Sequence, residues 1–438
     1  MLLEFKVANF RSIGDEVTLS LEPAPDVTEK ADTLITRGAW QALPVVGLYG
    51  ANSSGKSNVL KAMATMIYLI DSSAQRSSTD RLEYEPFIMG KESIRNTKPT
   101  HYEITFYYKS VVYVYGFAYI YDTVEVEYLH KKLNEDEQIT LFSRVGQDIK
   151  VGNSKEMSGA GALIKNTRKN ALFLSVCDQF NVNFAVTLFS WTSNFDWMID
   201  YKIESAVSSS TEEMMEDKQG NLEINQLLSN MNLGFKMLSI QKEKIGVHNI
   251  FNPNLPGYIK GDIINNLDRF KFSQEVTRFF TVHAFIDENG NESDAEIFFD
   301  VSEHESEGTQ HAIWLIGPVL HALKYGGILV IDELDLHLHP EMTHYIIGLF
   351  RFPEINQKGA QLIFATHDTR TLKYSNLRED QIYFTEKNKW ESTTLRSLVE
   401  FKEVNPEDIE ADYLDGIYGG VPYLDALSKL DLKYGEKE

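Results

Sequence analysis

The stretch "GLYGANSSGKSNVL", Gly47 to Leu60, decides the fold. Within it, Gly50-Ala51-Asn52-Ser53-Ser54-Gly55-Lys56-Ser57 fits G-x-x-x-x-G-K-[ST], a phosphate-binding loop. Such a loop needs a strand before it and a helix after it. Leu43 to Tyr49 reads as a short apolar strand, and Asn58 to Leu69 carries apolar residues at helical spacing. Gly50 and Gly55 let the backbone curl so that N–H groups meet phosphate oxygens at a helix N-terminus, where the dipole favours negative charge. Asn52, Ser53 and Asn58 lie in or beside that cradle. Lys56 is placed to reach the β- and γ-phosphates, and the Ser57 hydroxyl to ligate Mg²⁺. The competing reading, a glycine- and serine-rich turn matching by accident, has to explain away both flanks.

A second block, "GGILVIDELDLHLHP", Gly326 to Pro340, places four apolar residues ahead of Asp332 and Glu333. Such a run suits a parallel strand buried on both faces, and acids at its C-terminal end lie where α/β sheets bind ligands. Asp332 is the candidate Mg²⁺ partner and Glu333 the candidate general base for an attacking water. A third strand, "QLIFAT", ends at His367, which can donate to a γ-phosphate or simply satisfy a loop. Upstream, Ser306-Glu307-Gly308-Thr309 opens an apolar helix from about Gln310 to Leu323. Taken alone, that hydroxyl reads as an ordinary N-cap.

Composition narrows the classes. The 438 residues allow two or three lobes, and a 43% hydrophobic share with 12% aromatics fills a globular core. The 42 basic and 64 acidic residues leave a formal charge of −22, which repels a polyanion as a whole, so DNA binding is possible but not favoured. Cys177 stands alone in an apolar run and reads as a buried structural thiol. No signal peptide or membrane-length apolar segment is legible, so a cytoplasmic location is expected. His337, His339 and His344 fall in and after the segment before Pro340 and are not read as a metal site.

Along the chain, Leu2 to Ala8 and Glu16 to Leu21 predict a hairpin. His101 to Leu133 predicts several antiparallel strands, and Ile139 to Arg144 another. From Asn170 to about Phe280 apolar spacing predicts helices, interrupted at Ser208 to Gly220 by an acidic exposed loop. Strands return at Thr281 to Ala284 and Ala295 to Val301. No heptad is sustained, so no long coiled coil is expected.

In order, these pieces resemble the ATP-binding-cassette superfamily in its SMC/RecF-type branch. "GANSSGKS" stands as Walker A, "SEGTQ" in the signature position, "ILVIDE" as Walker B, "LDLHLHP" as the D-loop region and "ATHD" as the switch-histidine motif. Walker A and signature lie about 250 residues apart, which suits that branch, and "NFRSI" at Asn9 to Ile13 makes Arg11 a candidate nucleotide contact. The departure is Ser-Glu-Gly-Thr in place of Ser-Gly-Gly-Gln. More narrowly, the chain is similar to the AAA-labelled ATPases of bacterial phage-defence and abortive-infection loci, the RloA/AbiL-like group that includes the PARIS ATPase. "YEPF", "LFSR" and "DYLDGIYGGVPYL" (Asp412 to Leu424) carry that likeness. The last stretch also reads as a turn closing a helix.

The resemblance implies an α/β fold: an ABC-type P-loop NTPase head with a mixed β-sheet lobe and an inserted helical subdomain. The expected division is 1–145 for an N-terminal ATPase lobe, 146–280 for a helical insertion and 281–438 for a C-terminal ATPase lobe. It further implies ATP sandwiched between two copies, with Ser306 and Gly308 of one facing Walker A of the other and Asp335 communicating across, in a homodimer or higher homo-oligomer. A nucleotide-switched scaffold or sensor controlling a separate effector, a Toprim-type nuclease, is the expected role. A RecF- or SMC-like DNA-repair ATPase is the alternative. About 70 residues follow His367, too few for a fused Toprim domain.

Overall fold

A computed structural model of the chain describes residues 1–89, 98–134, 137–199, 209–246, 274–401 and 408–422, with residues 260 and 264. Two large sheets organise it. The first is antiparallel and seven-stranded, built from β1 (Leu2–Ala8), β2 (Val17–Ser20), β6 (Thr100–Tyr108), β7 (Val111–Ile120), β8 (Thr123–Lys132), β9 (Gln138–Val145) and β10 (Asp148–Val151), in the order β10-β9-β8-β7-β6-β1-β2. The hairpin and the aromatic strand block thus form as expected, β-branched and aromatic residues packing on a pleated surface. A small ribbon, β3 (Ile35–Arg37) and β4 (Trp40–Ala42), leads into the second sheet.

That second sheet holds β5 (Val45–Tyr49), β11 (Phe195–Met198), β15 (Ile328–Ile331), β16 (Gln361–Ala365), β17 (Ile382–Lys387) and β18 (Thr393–Ser397), in the order β11-β15-β16-β5-β17-β18. All neighbours pair parallel except β18, an antiparallel edge. Alternate residues enter two cores. Val46, Leu48, Val330 and Ile363 face α1 (Lys56–Ser72) and the first sheet; Val45, Tyr49, Leu329, Ile331, Leu362 and Phe364 face α7 (Glu307–Tyr325) and α8 (Pro340–Arg351). Burial on both faces is why these strands read as unbroken apolar runs. Gln361 stitches the sheets together: its Oε1 accepts from Leu2 N at 2.6 Å, and its Nε2 donates to Leu2 O and Leu43 O.

The chain from 146 to 280 is mixed, and two expectations there are corrected. Besides α2 (Phe173–Gln179) and α3 (Asn183–Thr192), it contributes β10, central-sheet strand β11 and β12 (Met237–Ile245). β12 pairs with β13 (Gln274–Ile286), which pairs with β14 (Glu292–Asp300), so helix does not run on to Phe280; cross-strand pairing overrides local spacing there. The acidic stretch Ser208 to Gly220 is not an exposed loop over its described residues. It forms α4 (Ser209–Glu216) and opens α5 (Lys218–Met231), because Met214 and Met215 insert into the core while Glu213 and Glu216 stay exposed and Glu212 accepts from Thr277 Oγ1 of the neighbouring strand. Short helices α6 (Val301–His304), α9 (Arg370–Tyr374) and α10 (Ile409–Leu414) follow among the described residues. Cys177 is buried in α2, and burial pushes its thiol up to about 12. Among the described residues no helix is long and apolar enough to cross a membrane. Tyr423 and Leu424 lie outside the described residues.

Candidate nucleotide site

β5 runs straight into the glycine loop, and α1 begins at Lys56. Gly50 has φ +149° and Gly55 φ +115°, a region that L side chains rarely adopt. A Cβ at Gly55 would lie 2.1 Å from Thr393 Oγ1, and one at Gly50 2.5 Å from Thr385 O. The loop is therefore moulded on the central sheet's last two strands. Hydroxyls fix it from behind: Ser54 Oγ and Thr385 Oγ1 are 2.5 Å apart, and Thr393 Oγ1 donates to Ser54 O at 2.8 Å. Ser12 Oγ sits 2.8 Å from Thr393 Oγ1 and accepts from Asn58 Nδ2 at 2.7 Å. Asn58 and the "NFRSI" turn thus brace α1. Asn52 and Ser53 stay exposed at the loop's tip, Ser53 with φ 64°.

Lys56 is buried, and its Nζ donates to Gly50 O at 2.7 Å and Ala51 O at 3.2 Å. Burial pushes this lysine down to about 8, against the charges of Asp332, Asp335 and Glu333. His367 Nδ1 lies 3.5 Å from the same Nζ, and burial, then Lys56, holds the imidazole below its ordinary range. Walker A and the histidine strand therefore converge at the C-terminal edge of adjacent parallel strands.

Beside them β15 ends at Ile331 and is followed by Asp332, whose Oδ1 is buried with no hydrogen-bond partner among the described residues. Glu333 is exposed with φ 56°. Asp335 Oδ1 accepts from Thr366 Oγ1 at 2.6 Å and from His367 N at 3.1 Å, so in this chain its carboxylate anchors the histidine loop. An orphaned carboxylate oxygen and the Ser57 hydroxyl are hard donors of the kind Mg²⁺ takes, and the site fits that ion.

The signature segment lies elsewhere. Ser306 caps α7, accepting from Thr309 N at 3.2 Å, and a Cβ at Gly308 would meet His337 O at 2.6 Å. His337 Nδ1 is 3.4 Å from Glu307 Oε2. Ser306 and Gly308 thus border the D-loop region, and no hydrogen bond joins them to the Gly50 to Asn58 loop among the described residues. Arg11 is occupied: its Nε donates to Glu85 of "YEPF" at 2.7 Å. His339 accepts from Glu341 N, and His344 Nδ1 lies 2.8 Å from Ser375 Oγ, so these histidines have separate partners.

A cleft of about 220 Å³ opens beside Gly50, Ala51, Asn52, Thr366 and His367, and its outer wall is Tyr413, Leu414, Val421 and Pro422. Sequence reasoning missed Thr385, Thr393 and Tyr413 as neighbours of the loop. The first two are single hydroxyls in unremarkable strands, while the tail around Tyr413 read as a family likeness and a helix-closing turn, with nothing in it to mark a contact with the loop.

A protein-family model described as "AAA domain, putative AbiEii toxin, Type IV TA system" matches residues 45–373. The Septu protein PtuA of Bacillus mycoides (strain KBAB4) is 26% identical over 202 residues, 41% of this chain and 27% of that protein, so the match spans about a quarter of its length. Among solved structures, an SMC head bound to the C-winged-helix domain of ScpA has 12% identity and a TM-score of 0.42, over 90% of this chain and 97% of that one. The SMC head domain from Thermotoga maritima has 11% identity and a TM-score of 0.38, over 90% and 98%. A RecF–ATP structure from the RecFOR pathway has 14% identity and a TM-score of 0.29, over 88% and 94%.

Proposed function

The chain belongs to the AAA-domain family whose model spans residues 45–373, and from that premise we propose that it is a Mg²⁺-dependent ATPase, converting ATP and water to ADP and phosphate. The observation that carries the reading is the meeting of Lys56, His367 and the orphaned oxygen of Asp332 at one edge of a parallel sheet. Lys56 leaves the carbonyls of Gly50 and Ala51 for the β- and γ-phosphates. Ser57 and Asp332 would hold Mg²⁺, which when bound would supply positive charge to the phosphoryl oxygens. Glu333 takes the proton of the attacking water, and His367, neutral and held at its backbone by Asp335, donates to the γ-phosphate. Ser306 and Gly308 border the D-loop region with no hydrogen bond to the Gly50 to Asn58 loop among the described residues, and in this reading they act on the ATP of a second copy, in a homodimer or larger homo-oligomer.

We further propose that this cycle switches a scaffold or sensor controlling a separate effector, a Toprim-type nuclease, in cytoplasmic anti-phage defence. The toxin and TA wording of the family and the likeness to Septu PtuA support that role. The test is co-purification of wild type and Glu333→Gln from the native host with ATP, alongside phosphate release by wild type, Lys56→Ala and Glu333→Gln. Hydrolysis by wild type alone, and a stoichiometric protein partner whose retention differs between wild type and Glu333→Gln, is the expected result. A lone ATP-dependent dimer retaining DNA would instead favour the repair-clamp reading, and hydrolysis undiminished in Lys56→Ala would refute the site.

A further inference from the structure

The segment 408–422 returns to the nucleotide loops after the central sheet is complete, and its contacts there are specific. α10 is capped by Asp408, whose carboxylate accepts from Ala411 N. Tyr413 stacks on Phe384 of β17 with ring centroids 5.2 Å apart at 16°, and Tyr418 stacks on the same ring at 5.2 Å and 18°. Tyr413 OH donates to Gly420 O at 3.0 Å, closing the turn. Gly420 has φ +70°, and a Cβ there would stand 2.9 Å from Thr385 O and 3.4 Å from Gly50 Cα, so the turn lies directly against the start of the phosphate loop. From the same segment, Glu410 Oε1 accepts from Thr369 Oγ1 at 2.8 Å, two residues after His367.

The loop carrying His367 is thus tied at two places. Asp335 holds its entry through Thr366 Oγ1 and His367 N. Glu410 holds its exit through Thr369. We propose that Glu410 is a positioning residue: through Thr369 it sets the reach of His367 toward Lys56 and the cleft. The aromatic clasp around Phe384 fixes where that carboxylate stands. Glu410 touches no reacting atom, so its effect falls on the placement of His367 in the transition state more than on ATP affinity.

The proposal rests on the ATPase reading, and the experiment separates the two. Wild type, Glu410→Ala and Glu410→Gln are compared by steady-state ATP hydrolysis and by NMR of protein carrying ¹³C-labelled histidine, with the His367 resonance assigned from His367→Gln. Glutamine keeps an acceptor oxygen for Thr369; alanine removes it. Glu410→Ala should lower kcat about tenfold or more with KM for ATP changed less than about threefold. It should move the His367 resonance while those of His101 and His130, in the first sheet, hold still, and Glu410→Gln should recover most of both effects. An unmoved His367 resonance in Glu410→Ala, or wild-type kcat in that variant, overturns the proposal. Equal loss in the alanine and glutamine variants, with kcat falling and KM for ATP rising more than about threefold, also overturns it by marking a merely structural role. If wild type hydrolyses no ATP while the resonance moves and glutamine restores it, the ATPase reading falls and the positioning role stands.

Discussion

At the scale of residues, Lys56 is a cation held by dipoles. Two peptide carbonyls at 2.7 and 3.2 Å occupy its ammonium, and burial brings it down to about 8. Phosphate oxygens would stabilise the protonated form and raise that value again. The sign follows: at pH 8 roughly half of these lysines are neutral before ATP arrives, so binding should take up a fraction of a proton, and affinity should fall as pH rises beyond 8. Calorimetry of ATP binding at pH 8, in buffers of different ionisation enthalpy, measures this directly; zero uptake would return Lys56 to the ordinary lysine range. Lys56, Asp332 and His367 were legible in the sequence because each sits in a short motif whose chemistry is local. Thr385 and Thr393 were not, because they reach the loop from 331 and 339 residues away, and a threonine in a strand carries no mark of such a contact.

Among elements, legibility followed burial. β5, β15 and β16 announce themselves because each is buried on both faces, leaving only Gln361, at the start of β16, as a polar side chain in an otherwise apolar run. α4 is the opposite case: its acidic residues set the composition, and the two methionines that dock it are too few to show a period. What seats α4 is Gly317 in α7, where a Cβ would fall 2.1 Å from Thr211 Oγ1 and 2.4 Å from Thr211 Cα. Gly317→Ala should therefore destabilise the fold by about 1–3 kcal/mol, because overpacking against backbone exceeds the gain of up to about 1 kcal/mol in helix propensity. Gly161→Ala, at a position with nothing within 4 Å of the added Cβ and no positive φ, is the control and should be neutral or slightly stabilising. Denaturant midpoints of the two variants against wild type decide it, and equal midpoints would mean that α4 shifts freely to make room.

At the scale of the whole molecule, charge and the split site act against each other. Ser306 and Gly308 border the D-loop region, and the proposed sandwich would bring them to the ATP of a second copy, yet each copy carries a formal charge of −22. Bringing two such chains together is opposed by self-repulsion that salt screens over a Debye length of about 8–10 Å at ordinary ionic strength. Dimerisation of Glu333→Gln at saturating Mg·ATP should therefore tighten as salt rises from about 50 to about 300 mM. A DNA clamp would show the opposite slope, since phosphate contacts release counterions and weaken with salt. Sedimentation velocity across that range distinguishes them. A monomer at every salt concentration would remove the composite site, and ATP-dependent DNA retention that fades with salt would show that a local basic surface outweighs the acidic whole. Substituting Ser306→Arg supplies the geometric control: a bulky cation at the cap of α7 should abolish the ATP-dependent dimer while leaving ATP binding by the single chain in place, because among the described residues the cap's hydroxyl bonds within its own turn, to Thr309, and not to the loop that holds Lys56.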